Sequence, residues 1–102
     1  MIEPENLFNN IPSLLKGEDF SKLLDCRNVV IERIVSSEKP DTDIYNQTQD
    51  EWVILIRGEA QLRINDDIVN LKAGDYLFIP SHTPHQVLTT SRHSLGLAVH
   101  IY

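Results

Sequence analysis

Two short segments of the sequence place side chains with metal-binding and acid–base chemistry at set distances from glycine and proline. In the first segment, Glu51 is followed after six residues by Gly58. In the second, five residues separate Gly74 from Pro80, and four more separate Pro80 from His85. Carboxylate and imidazole groups bind divalent metals and transfer protons near neutral pH. These segments are therefore the candidates for a functional site, which either holds a metal or forms a hydrogen-bonded polar cluster.

Both segments lie in a region whose pattern is typical of strands and turns. Residues 27–102 contain at least seven short runs rich in apolar and β-branched side chains, separated by turn-forming stretches. The runs are Asn28–Val35, Glu51–Arg57, Ala60–Ile64, Ile68–Leu71, Tyr76–Ile79, His85–Thr89 and Leu95–Ile101. Their even spacing predicts an all-β sandwich or barrel, and the jelly roll is one common closure of such a fold.

The first 26 residues follow a different pattern. Phe20, Leu23 and Leu24 stand at positions i, i+3 and i+4, and the acidic residues Glu18 and Asp19 precede them. This spacing and charge predict a short helix. Because so short a helix is not stable alone, residues 1–26 are predicted to form an arm that packs on the barrel or on a partner subunit.

The segments around Glu51 and His85 resemble the two motifs of the cupin superfamily, which usually run G-x5-H-x-H-x3/4-E-x6-G and G-x5-P-x-G-x2-H-x3-N. The chain is similar in more detail to small single-domain bacterial cupins. That similarity rests on Tyr45-Asn46-Gln47, Glu51-Trp52-Val53, Ile79-Pro80-Ser81-His82-Thr83-Pro84-His85 and Ala98-Val99-His100. The resemblance implies a double-stranded β-helix, or jelly-roll, barrel over residues 27–102, with the helical arm before it.

The chain departs from the usual motifs at four positions. Counted back from the glutamate by the shorter spacing, the two usual histidine positions hold Tyr45 and Gln47. In the second motif, His82 replaces the usual glycine and Thr89 replaces the usual asparagine. The chain therefore keeps one histidine and the glutamate of the four residues that cupins usually use to bind a metal.

The resemblance implies a divalent metal, either Fe, Mn, Ni or Zn, held by Gln47, Glu51 and His85, with Tyr45 or His100 completing the set. Open positions on such a metal would bind substrate or oxygen. The alternative is that the metal has been lost, since glutamine is a weak neutral ligand and tyrosine an uncommon one. Glu51, His85 and His100 would then form a polar cluster in a metal-free pocket.

Several further side chains carry narrower predictions. Tyr45 is either a ligand or a proton donor, so Tyr45 and Glu51 are the candidate catalytic residues. His82 either borders the pocket or caps its loop, and His93 lies in a polar turn where solvent surrounds it. Trp52 follows Glu51 and so points to the opposite face of its strand, where it predicts a homodimer interface or a contact with the arm.

Composition excludes several classes of function. The net charge is −6 and the basic residues are scattered, which argues against nucleic-acid binding. The longest apolar run, Trp52–Ile56, is too short to span a bilayer, and the first residues lack the pattern of a signal peptide. The single cysteine, Cys26, allows no intrachain disulfide, which suits a cytoplasmic protein.

Three functions remain open on the sequence, and the last of them is a purely structural or interaction role through a homodimer. The first is a stand-alone, metal-dependent cupin enzyme that acts on a small polar molecule by isomerase, lyase or dioxygenase chemistry. The second is a non-catalytic cupin that binds or senses a small molecule in a metal-free pocket. Motifs for acyl transfer and phosphate binding are absent from the sequence.

Overall fold

The computed structural model describes residues 2–102, and within them it contains nine β-strands. They are β1 (Glu18–Cys26), β2 (Val29–Ser36), β3 (Ile44–Tyr45), β4 (Asp50–Arg57), β5 (Glu59–Ile64), β6 (Asp67–Lys72), β7 (Tyr76–Ile79), β8 (His85–Thr90) and β9 (Ser94–Ile101). Each of the seven predicted strands is confirmed to within one residue at either end. Among these residues there is no helix long and apolar enough to cross a membrane.

The strands form two sheets in which every paired strand is antiparallel to its neighbour. The five-stranded sheet has the order β1-β2-β9-β4-β7, and the four-stranded sheet has the order β3-β8-β5-β6. The last strand, β9, is inserted between β2 and β4, so the two ends of the chain meet in one sheet. Two facing antiparallel sheets with such crossing connections agree with the jelly-roll barrel that the sequence predicts.

The predicted N-terminal helix is wrong. Glu18–Cys26 forms strand β1, which pairs with β2 from Glu18 opposite Ser36 to Cys26 opposite Val29. The register shifts between Lys22 and Leu24, as at a β-bulge. A bulge displaces apolar residues from strict alternation, and the helix-like spacing arises in this way. Pairing along a whole strand outweighs the weak preference of one short helical turn.

The segment before β1 packs on the outer face of the five-stranded sheet. Alternate residues of β2 (Glu32, Ile34 and Ser36) line the barrel interior, so Arg33 points outward. Arg33 is 7% exposed, and its guanidinium donates hydrogen bonds to the carbonyl oxygens of Leu7, Asn9 and Asn10 at 2.7–3.2 Å. One buried cation therefore holds the N-terminal arm against the barrel.

Between the two sheets lies a cavity of about 170 Å³. Apolar side chains from both sheets form most of its wall; these include Phe20, Ile34, Val53, Leu55, Ala60, Leu62, Leu71, Ile79 and Val87. The polar side chains that line it are Glu18, Glu32, Ser36, Tyr45, Gln47, Glu51, His85, Thr90, Ser94 and His100. The fold thus brings the candidate residues of the sequence to one interior space.

Candidate functional site

The site is assembled from the ends of strands in both sheets. Glu51, near the start of β4, pairs in register with His100, near the end of β9. His85, at the start of β8, pairs with Tyr45 in the other sheet. Period-two alternation turns all four side chains toward the interior, where they line the cavity. Gln47, on the segment between β3 and β4, lines it too.

The loop that delivers His85 is tied to the segment that delivers Glu51. The backbone N–H of Ser81 donates to Oδ1 of Asp50 at 2.8 Å, and that of His82 donates to the carbonyl oxygen of Gln47 at 2.7 Å. His82 adopts a left-handed backbone with φ of 59°, and its side chain is exposed and does not line the cavity. His82 is therefore part of the loop and does not border the cavity. His93 lies in the turn before β9 and does not line the cavity either.

The ring of His85 is held in a defined orientation. Its Nδ1 lies 2.9 Å from the carbonyl oxygen of Thr83, which can only accept, so Nδ1 carries the proton. Nε2 then has a free lone pair and lies 3.9 Å from Oε1 of Glu51. The ring also stacks against that of Tyr45, with 5.7 Å between centroids. A histidine fixed in this way by a carbonyl can offer Nε2 to a metal or to a proton.

The ring of His100 has protein partners on both nitrogens. Nε2 lies 2.8 Å from Oε1 of Glu32, and Nδ1 lies 3.2 Å from the amide Nε2 of Gln49. The amide donates to Nδ1, so Nε2 carries the proton and donates to the carboxylate of Glu32. Nδ1 is also 3.8 Å from Oε1 of Glu51. His100 is thus positioned beside Glu51 by two residues that the sequence analysis did not single out.

A sequence signal for Glu32 does exist. In β2 the residues Val30, Glu32 and Ile34 share one face, and Glu32 is the charged member of an apolar row. A lone carboxylate on the inward face of a strand needs a partner, which His100 provides through the pairing of β2 with β9. Gln49 lies outside any strand, and no sequence pattern marks it.

Glu51 is the buried acid of the site. The residue is 7% exposed, and burial raises the pKa of its carboxyl above the usual 4.5. The imidazoles of His100 and His85 oppose this increase, whereas the carboxylate of Glu32 adds to it. A carboxyl whose pKa is raised holds its proton more tightly than a solvent-exposed glutamate does.

Tyr45 keeps its phenolic proton. Burial is the largest cause that raises the pKa of Tyr45 above its usual value of 10.0, and the carboxylates of Glu18, Asp43, Asp41 and Glu51 raise it further. The residue is therefore a hydrogen-bond donor toward the cavity and not a phenolate.

The donor groups of the cavity decide whether it fits the divalent metal that the sequence motifs imply. Within residues 2–102, no set of three or more His, Cys, Asp or Glu side chains is arranged to hold a metal ion. A third protein ligand besides Glu51 and His85 would then come from another kind of side chain, and the amide oxygen of Gln47 is one such candidate. Oε1 of Gln47 is buried and has no hydrogen-bond partner, which is the condition of an atom that a bound group would satisfy. The donor set Gln47, Glu51 and His85 fits a divalent metal in this respect.

A jelly-roll barrel with carboxylate, imidazole and amide groups in its interior defines the class of the protein, and comparison with known proteins agrees. The family model of the cupin domain matches residues 34–100. The chain belongs to the cupin family. No protein of curated function matches it.

Solved structures support the same assignment. A proposed mannose-6-phosphate isomerase from Ralstonia eutropha JMP134 is 33% identical, covers 98% of both chains and superposes with a TM-score of 0.89. An RmlC-like cupin from Shewanella frigidimarina NCIMB 400 is 15% identical over 96% of this chain and 87% of that one, with a TM-score of 0.80. A conserved protein of unknown function from Streptococcus pyogenes is 14% identical over 99% and 88%, with a TM-score of 0.83. The latter two show the fold alone.

Proposed function

We propose that this chain is a metal-dependent enzyme that moves a proton on a small molecule bound in the barrel cavity, in a reaction of isomerase or lyase type. The observation that carries the proposal is the position of Glu51. Its carboxyl is buried and lies 3.9 Å from His85 and 3.8 Å from His100. Bound to a metal it would be an ionised ligand, and the phenol of Tyr45 is then the group in the cavity that exchanges the proton which isomerases and lyases move.

In this proposal Gln47, Glu51 and His85 hold the divalent metal. When bound, the metal acts as a Lewis acid that polarises a carbonyl or hydroxyl oxygen of the substrate. The dioxygenase type, which also follows from the family resemblance, would use the same donors.

The remaining polar groups would orient the reacting side chains. The chain Gln49–His100–Glu32 holds an imidazole beside Glu51 and thereby fixes the position of the carboxyl. The phenol of Tyr45 donates a hydrogen bond toward the substrate oxygen, and its ring keeps His85 in place. The apolar wall excludes water, which strengthens each of these interactions. The name of the 33% identical relative is also that of an isomerase.

The test is the metal content of protein purified without chelator, measured by elemental mass analysis. We expect a near-stoichiometric divalent metal in the wild type and its loss in Glu51→Ala and His85→Ala. His93→Ala, which removes a histidine outside the site, should keep the metal. Retention of the metal in Glu51→Ala would contradict the ligand assignment.

A second candidate is a binding or sensing protein with a metal-free pocket. It is favoured by His100, whose two nitrogens are already satisfied by protein groups, and by the largely apolar wall of the cavity. This candidate predicts saturable binding of a small molecule to protein that has been freed of metal. Binding that occurs only after a metal is added would exclude it.

We further propose that a second copy of the chain covers the outer face of the five-stranded sheet. The strand registers place Leu24, Ile31, Val99, Trp52 and Phe78 in one row across all five strands. Leu24 is 44% exposed and Phe78 is 52% exposed. The row contains no charge and runs the full width of the sheet. An apolar face of this kind pairs with itself about a twofold axis.

A further inference from the structure

One carboxyl group in the cavity has no assigned role in the proposed reaction. Glu18 is the first residue of β1 and lines the cavity, and its Oε1 is buried with no hydrogen-bond partner. Burial without a partner is costly for a carboxylate oxygen. Such an atom is satisfied when a bound molecule brings a hydrogen-bond donor to it.

The backbones of Glu18 and Glu51 belong to different rows of the five-stranded sheet. Glu18 pairs with Ser36, which pairs with Ser94 at the start of β9, whereas Glu51 pairs with His100 near its end. Both carboxylates nevertheless act on the phenol of Tyr45, so the two side chains reach toward one another inside the cavity. The cavity therefore holds a second carboxyl group, apart from the Glu51 site but within reach of the same small ligand.

The charges around Glu18 favour a bound cation. Among the described residues that line the cavity, three are glutamates (Glu18, Glu32 and Glu51) and none is a lysine or an arginine. Asp41 lies close to Glu18. Burial is the largest cause that raises the pKa of the Glu18 carboxyl, and the negative charge of Asp41 raises it further. Two neighbouring carboxylates repel an anion and stabilise a positive charge that lies between or beside them.

The shape of the cavity limits the rest of the ligand. Around the two carboxyl groups the wall is formed by apolar side chains such as Ile34, Leu62 and Val87. Phe20, the second residue after Glu18, lines the cavity and is 50% exposed, so it lies where the cavity opens. A ligand that fills this space has a short apolar body with a donor at the Glu18 end.

We propose that the cavity binds a small organic ammonium compound, with its N–H groups on the carboxylate of Glu18 and its apolar body along Ile34, Leu62 and Val87. The reacting end would lie at Glu51 and His85, and this part rests on the proposed function. The same arrangement disfavours phosphate esters, because no lysine or arginine among the described lining residues would balance a dianion. The substrate class thereby differs from the one in the name of the 33% identical relative.

The test is a ¹H–¹⁵N NMR titration of metal-free protein at neutral pH with four probes of equal chain length: n-butylammonium, n-butanol, butyrate and n-butyl phosphate. We expect n-butylammonium to bind most tightly and to shift the backbone amides of β1 near Glu18. Glu18→Gln keeps the shape of the side chain and removes its charge, so it should weaken this binding about tenfold or more. Asp19→Asn makes the same charge change on the other face of β1 and should leave the affinity within about twofold.

Tighter binding of butyrate or n-butyl phosphate would overturn the proposal, as would equal affinity of wild type and Glu18→Gln for n-butylammonium. The variant Glu51→Gln separates this result from the proposed function. If Glu51→Gln binds n-butylammonium as tightly as the wild type does, the ammonium site does not depend on Glu51. If the wild type also contains no metal, the ammonium site stands and the metalloenzyme proposal fails. If metal is bound through Glu51 but the anionic probes bind best, the ammonium site fails alone.

Discussion

Oε1 of Glu51 lies 3.9 Å from Nε2 of His85, although the two residues belong to different sheets of the barrel. The carboxyl and the imidazole approach each other without a short hydrogen bond, and the other ring nitrogen of His85 is committed to Thr83. A gap of this size between two potential ligands or proton carriers leaves room for a third group. The predictions below follow from this relationship and from the elements that maintain it.

The two histidines of the site should be opposite tautomers. In metal-free protein we expect the proton of His85 on Nδ1, because the carbonyl oxygen of Thr83 accepts it, and that of His100 on Nε2, because Glu32 accepts it. Long-range ¹H–¹⁵N correlation spectra distinguish the two forms at a pH where both rings are neutral. The ring of His93, which lies in the turn before β9, provides an internal comparison. The same tautomer in both rings would contradict the described hydrogen bonds.

The stability of the protein should depend on pH through its buried acids. Burial raises the pKa of Glu51 and of Glu18 above the usual 4.5, so the folded protein binds these protons more tightly than the unfolded chain does. This stabilisation is complete below pH 4.5 and is lost as the pH rises through each raised pKa. We therefore expect the free energy of unfolding of the wild type to decrease with pH over this window.

Urea denaturation at a series of pH values measures that slope. Glu51→Gln should flatten it, and the double variant with Glu18→Gln should flatten it further. Asp19→Asn serves as the control, since its carboxyl lies on the other face of β1. Equal slopes in wild type and double variant would contradict the prediction.

The N-terminal arm should depend on a single buried cation. Arg33→Met removes the three hydrogen bonds to the carbonyl oxygens of Leu7, Asn9 and Asn10 and leaves those acceptors without their donor. We expect a loss of about 3 kcal/mol in the free energy of unfolding, measured by urea denaturation. Arg63→Met, at an exposed position of β5, is the matched control and should cost less than about 0.5 kcal/mol. Similar costs for the two variants would show that the arm does not rely on Arg33.

The turn between β4 and β5 should tolerate no side chain. Gly58 has a φ of 94°, and a Cβ there would lie 2.7 Å from Cβ of Ser94 and 2.6 Å from Oγ of Ser91. Gly74 has the same φ, but no atom lies within 4 Å of a Cβ built there. A side chain at Gly74 would therefore cause backbone strain without a steric clash. We expect Gly58→Ala to destabilise the protein by at least about 1 kcal/mol more than Gly74→Ala in urea denaturation. An equal effect would show that the neighbouring serines move away at no cost.

The outer apolar row should form a dimer interface. Light scattering at micromolar concentration should give the wild type a mass near twice the 11.7 kDa of one chain. Phe78→Glu places a charge at one end of the row and should shift the mass toward that of one chain. Ile68→Glu changes an apolar residue of similar exposure, 47% against 52%, in the other sheet and should leave the mass unchanged. A wild-type mass of one chain would refute the dimer.

Local patterns were enough to predict most strands of this protein. In residues 27–102 the apolar runs are short, β-branched and bounded by turn residues, and these are properties of neighbouring residues that require no knowledge of the fold. Glu51 and His85 could be selected in the same way, from their distances to Gly58, Gly74 and Pro80. The strand Glu18–Cys26 could not, because a bulge breaks its alternation and its pairing partner, β2, must be known before the strand is recognised.

The sequence by itself determined the all-β fold, the family motifs and the two side chains on which the site is built. Only the tertiary structure decided what surrounds them. Strand pairing brings Glu32 to His100 and Glu18 to the cavity, a loop brings Gln49 to His100, and the arm contacts Arg33 across the outer face of a sheet. The physical reason is that strand identity depends on side chains close in sequence, whereas burial, charge environment and hydrogen-bond partners depend on which distant strands lie side by side.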